Sequence, residues 1–93
     1  MAGRAASKAD VKTGTGADAW SAAIEFDFPT LWIGIECWTE SLDIALSYDG
    51  ITFQDTIEVD PDRPLLFPFQ AASFKVKNAE IGKNSRYQVI GTD

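Results

Sequence analysis

From Ile24 to Ile90 apolar residues recur at every second position, in short runs broken by Pro, Gly, Asp and Asn. Period two is the mark of a strand with one face buried. In the first run Ile24, Phe26 and Phe28 alternate with Glu25 and Asp27, and Pro29 ends it. In the second, Leu31, Ile33, Ile35 and Cys37 share one face while Trp32, Gly34, Glu36 and Trp38 share the other. Gly34 inside that run points to a bulge or a close backbone approach. Leu42, Ile44, Leu46 and Tyr48 form a third run, with Asp49-Gly50 directly after it as a hairpin signal. Ile51 to Phe53 and Thr56 to Val59 continue in strand-like fashion, and Asp60-Pro61-Asp62-Arg63-Pro64 reads as a turn. Leu65, Leu66, Phe67 and Phe69 are interrupted by Pro68, which confines that run to a sheet edge or a bulge. Phe74 to Lys77 alternates cleanly, Asn78 to Ser85 is a polar loop, and Arg86 to Ile90 makes the last strand. No helical stripe occurs. The pattern predicts an all-β chain: a small antiparallel β-sandwich or barrel of seven to eight short strands over residues 20–93.

Residues 1–19 break this pattern. They hold Ala, Gly, Ser, Thr and scattered charges, with no apolar periodicity beyond Val11. The expectation is an extended N-terminal arm, flexible alone or held by a partner, with Arg4, Lys8, Val11 and Lys12 as its contact residues.

Composition narrows the chemistry. The chain has 93 residues, no histidine and one cysteine. Ser-His-Asp and Cys-His catalysis and a Cys/His zinc site are excluded by count, as is an intramolecular disulfide. Cys37 lies in an apolar run, where a buried structural thiol is expected. No phosphate-binding glycine loop occurs, so no cofactor is expected. No apolar stretch is long enough to span a membrane, and no apolar run follows the N-terminal bases as it would in a signal peptide.

The net charge of −6 is segregated. Residues 19–62 carry ten acids and no base, while residues 63–93 carry five bases against two acids. An acidic half repels phosphates, so nucleic acid is not an expected partner. Acidic and basic strands that neighbour one another in a sheet would pair across it; alternatively, opposite faces would meet between copies.

Each candidate site has an ordinary reading beside it. Asp49, Asp55, Asp60 and Asp62 could gather around calcium, or simply cap turns. Glu25, Asp27, Glu36 and Glu40 could hold a glycosidase pair, or form solvated strand faces. Trp20, Trp32 and Trp38 could stack on a glycan, or fill a second core face or a subunit interface. Leu65, Leu66, Phe67 and Phe69 could dock on another subunit by strand addition, or form a bulged core strand.

The runs Ser47-Tyr48-Asp49-Gly50-Ile51-Thr52-Phe53, Ile57-Glu58-Val59-Asp60, Phe74-Lys75-Val76-Lys77-Asn78 and Tyr87-Gln88-Val89-Ile90-Gly91 together resemble small β-sandwich structural proteins of tailed bacteriophage virions. The likeness spans Leu42 to Gly91 and leaves the arm out. It implies a non-enzymatic virion protein, such as a capsid decoration, head-completion or tail component, whose partners are other virion subunits and copies of itself. It also implies assembly in the host cytoplasm, and it brings no catalytic residues. The alternative reading of the chain is a carbohydrate-binding module using surface Trp32 and Trp38.

Overall fold

Every second residue of Trp32–Trp38 is buried: Ile33, Ile35 and Cys37 point inward, and Trp32 and Trp38 point out. This strand sits inside one of two four-stranded antiparallel sheets. The structure, a computed structural model, describes residues 7–93. Eight strands occur in chain order: β1 (Ala9–Thr15), β2 (Ile24–Glu25), β3 (Trp32–Trp38), β4 (Leu42–Ser47), β5 (Ile57–Val59), β6 (Leu65–Pro68), β7 (Ser73–Asn78) and β8 (Arg86–Thr92). Sheet A has the order β1-β8-β3-β6 and sheet B the order β2-β7-β4-β5. The all-β sandwich read from the alternation is the fold observed. No helix among the described residues is long and apolar enough to cross a membrane.

The core lies between the sheets. Ile33, Ile35, Cys37, Tyr87 and Val89 from sheet A meet Leu42, Ile44, Leu46, Val59, Phe74 and Val76 from sheet B. Phe74 is the aromatic pivot, 5.3 Å from the Phe26 ring and edge-on to Tyr87 at 6.4 Å. β8 is central in sheet A, and its backbone must pass close to the loop before β3. A Cβ at Gly91 would lie 2.5 Å from Thr30 Cγ2 and 3.0 Å from the Phe26 ring, so only glycine fits there. Thr30 itself is fully buried; its hydroxyl donates to Phe69 O and accepts from Ala71 N.

The structure corrects the reading of an arm within its described part, residues 7–19. Residues 9–15 are not a loose arm; they are β1, paired residue for residue with β8 from Ala9↔Thr92 to Thr15↔Arg86. The pattern hid this because β1 faces the interior with Asp10, Lys12 and Gly14. The Asp10 carboxylate is buried, accepts the Asp27 amide at 2.8 Å and pairs with Lys12 at 3.3 Å. The edge is therefore closed by ions and hydrogen bonds rather than apolar side chains. Beyond β1, Gly16 N donates to Ser85 O, and the Asp18 carboxylate accepts Gly82 N and Asn78 Nδ2. Arg4 lies outside the described residues.

Two further expectations change. Asp49-Gly50 does reverse the chain, but in a wider loop than a tight hairpin: Ser47 bridges Phe53, Gln54 N donates to Leu46 O, and the regular β4–β5 ladder resumes only at Ile57. Asp49 Oδ1 takes the amides of Ile51 and Thr52, which widens the turn before the chain returns to β4. The run Ile24–Phe28 is strand only at Ile24–Glu25, and Phe26 turns into the core. Pro68, as expected, lies in an edge strand, β6.

Backbone and side-chain donors hold the Asp18 and Asp49 carboxyls below their ordinary value of 3.8, chiefly Gly82 N for Asp18 and Thr52 N for Asp49. A carboxyl depressed in the folded state contributes stability above its unfolded value and loses it as pH falls through the folded one. Urea midpoints are thus expected to drop below pH about 3.8, and Asp18→Asn and Asp49→Asn are each expected to flatten that acid limb. Gly91→Ala should cost about 1–3 kcal/mol in the same assay, since the added methyl overpacks a backbone-fixed contact.

Candidate functional site

The outward side chains of sheet A form a grid whose rows follow from the register. One row runs Ala9, Thr92, Trp32, Pro68. The next runs Val11, Ile90, Gly34, Leu66, followed by Thr13, Gln88, Glu36 and then Thr15, Arg86, Trp38. The first two rows are mostly apolar, yet they face solvent. Leu66 is 74% exposed, Val11 51%, Trp32 46% and Trp38 40%. A two-layer sandwich has no third layer to cover them, and clustered exposure of large apolar side chains marks interaction surfaces.

Polar groups organise the lower half of the face. Gln88 Nε2 donates to Glu36 Oε1 at 3.3 Å, and the Arg86 guanidinium lies 5.8 Å from the centre of the Trp38 ring. Between the halves is a shallow depression of about 220 Å³ over Gly34, Glu36, Pro64, Leu65, Gln88 and Ile90.

The residues singled out from sequence therefore divide. Trp32, Trp38, Leu66 and Val11 come together on this one face. Leu65, Phe67 and Phe69 point the other way and pack against the core, with Phe67 edge-on to Phe69 at 6.5 Å. The apolar docking edge expected from all four residues of that run thus reduces to Leu66, because alternation sends its neighbours inward. Trp20 belongs to neither group. It covers the outer side of sheet B, with the ammonium groups of Lys75 and Lys77 at 4.9 and 5.1 Å from its ring centre. Lys75 also lies 4.7 Å from the Phe53 ring, which fixes the β4–β5 loop over that sheet. Lys8 lies over Phe28 at 5.7 Å, and Lys12 faces Asp10 and Asp27, so the two lysines expected as arm contacts meet groups of their own chain.

The other candidates have local duties. Asp49 holds its own turn, and Asp60 accepts the Ser41 hydroxyl at 2.9 Å. Among the described residues no three acids or thiols gather as metal ligands. Asp43 and Lys77 are opposite one another in sheet B, the cross-strand arrangement that the charge segregation suggested. Cys37 is buried, its thiol donates to Val59 O at 3.2 Å, and burial pushes its pKa up. It is a packed side chain and a poor nucleophile. The sequence alone did not identify Val11, Ile90 and Gly34 as parts of one surface; that required the register of three non-consecutive strands.

No family model and no curated protein matches this sequence. A solved structure from a study of Bacillus endospore appendages, described there as "a novel family of disulfide-linked pili", matches with a TM-score of 0.54. The match covers 91% of this chain and 85% of that one at 11% identity. At that identity the likeness establishes the shared fold.

Proposed function

We propose that this chain is a non-enzymatic structural subunit that assembles with copies of itself or with related subunits. The observation that carries the reading is the outer face of sheet A, where Val11, Trp32, Leu66 and Trp38 stand exposed on a rigid four-stranded platform. Clustered exposed apolar side chains of this kind mark interaction surfaces, and assembly would cover them. The resemblance to bacteriophage virion proteins supplies one setting, a decoration, head-completion or tail component built in the host cytoplasm. The fold shared with a pilus protein supports assembly of like subunits as the form such a role takes.

Covalent linkage through this chain's own cysteine is not part of the proposal. Cys37 is locked in the core and bonded to Val59, so its copies cannot meet while the sandwich is folded. Cys37→Ser is expected to leave the assembled mass unchanged, and denaturing gels of native protein should look the same with and without reductant.

The test is the mass of the purified chain by light scattering across a concentration series. Association is expected, and Trp32→Ser or Leu66→Asp is expected to abolish it while leaving the unfolding free energy from urea titration within about 0.5 kcal/mol, as for other exposed substitutions. The exposure of Trp32 and Trp38 also favours a glycan-binding reading. A chain that stays monomeric at all concentrations, and binds an immobilised glycan through Trp32 and Trp38, would replace the assembly reading.

A further inference from the structure

Gly34 has no local reason to be glycine. The other described glycines each have one: a Cβ at Gly14, Gly16 or Gly91 would strike a neighbour at 2.7 Å or less, and Gly50 and Gly82 have φ near +80°. Gly34 has neither constraint. It sits in the middle of a regularly paired strand, without the bulge or close approach its position suggested, and the nearest atom to its would-be Cβ is Leu66 Cδ1 at 3.7 Å. Glycine in a strand interior lowers stability and leaves a gap in the packing surface. Here the gap is the floor of the depression on the outer face of sheet A.

We propose that this depression receives Ile90 of a second copy of the chain, in a two-fold, face-to-face pairing of the two sheets A. The inference rests on the assembly reading above and names its partner and geometry. The register makes the face self-complementary about an axis running along the strands between β8 and β3. Rotation about that axis lays each β8 residue on its β3 neighbour in the other copy. Ile90 falls on Gly34, Thr92 on Trp32, Gln88 on Glu36 and Arg86 on Trp38, each pair being one that the register already matches within a chain. The outer strands follow, with Leu66 over Val11. Large meets small in the apolar row, a donor meets a carboxylate in the next, and a guanidinium meets an indole in the last. Gln88 with Glu36 and Arg86 with Trp38 already meet within each chain, so the match that singles out this pairing is Ile90 over the gap at Gly34.

The size is that of a modest contact. Four strands about 4.8 Å apart and about 23 Å long give a footprint of roughly 400 Å² per copy once the shorter β6 is allowed for. Roughly 800 Å² for the pair, before the relief of the side chains is added, is below the ~1,200 Å² of a standard interface and in the range of weak, transient contacts. Weak pairing that strengthens with concentration follows.

Gly34→Val separates this pairing from any structural role of the residue. Valine fits the open space and the extended backbone, so the variant should fold with an equal or higher urea midpoint. It fills the depression, and self-association measured by analytical ultracentrifugation should weaken at least tenfold. Proximity is tested with two single-cysteine variants, Val11→Cys and Leu66→Cys, and a short bis-maleimide. A mixture of the two should cross-link efficiently and either alone should not, because the two-fold brings residue 66 of one copy to residue 11 of the other. A chain that associates, but does so equally well with valine at position 34 or cross-links through Leu66→Cys alone, would overturn the pairing and leave the assembly reading standing. Loss of folding in Gly34→Val would also overturn it, by showing that the glycine serves the monomer.

Discussion

A β-strand has two faces, and a two-layer sandwich can bury only one of them. Everything particular about this molecule follows from what sheet A places on the face left over. Its inner face is conventional, with Ile33, Ile35, Cys37, Tyr87 and Val89 closing on sheet B. Its outer face carries a second apolar set, Val11, Trp32, Ile90 and Leu66, that the chain itself cannot cover. Sheet B handles the same problem differently. Trp20 and Phe53 fold over it beneath Lys75 and Lys77, so its outer positions Ala45, Ser47 and Ser73 are buried by the chain's own loops. The two sheets are thus unequal: the chain covers much of one outer face with its own loops and leaves the apolar outer face of the other open.

The edges support this division of labour. β1 pairs with β8, and its inward side chains are Asp10, Lys12 and Gly14 rather than apolar residues. Asp10 holds the loop at Asp27, and Ser7 and Lys8 bond through their amides to the Asp93 carboxylate, which ties the described start of the chain to its end. At the other pole Asn78 and Asp18 fasten the segment after β1 to the β7–β8 loop. Anchored at both ends of β1, sheet A is a fixed platform, and fixed platforms bind at lower entropic cost than mobile ones.

How much of this could be read from the chain depends on where the information resides. Alternation located β3, β4, β7 and β8 because their inward residues are mostly apolar. It failed for β1 because a strand whose buried face is Asp, Lys and Gly has no apolar period to detect. It placed the reversal at Asp49-Gly50 but not its width, because the Asp49 side chain takes the next two amides and enlarges the loop. It also treated Leu65, Leu66, Phe67 and Phe69 as one patch, although a strand must divide such a run between its two faces. The parity of Trp32 and Trp38 was legible; that Val11, Ile90, Gly34 and Leu66 form a row between theirs was not, since the row crosses four strands separated by long stretches of sequence.

The most direct measurement is a dilution series followed by amide NMR of the intact chain. If sheet A is the face that other copies cover, the amides of Val11, Gly34, Leu66 and Ile90 should shift together with concentration while those of Lys75 and Lys77 on sheet B stay fixed. Concentration-independent spectra, or shifts confined to sheet B, would contradict that assignment.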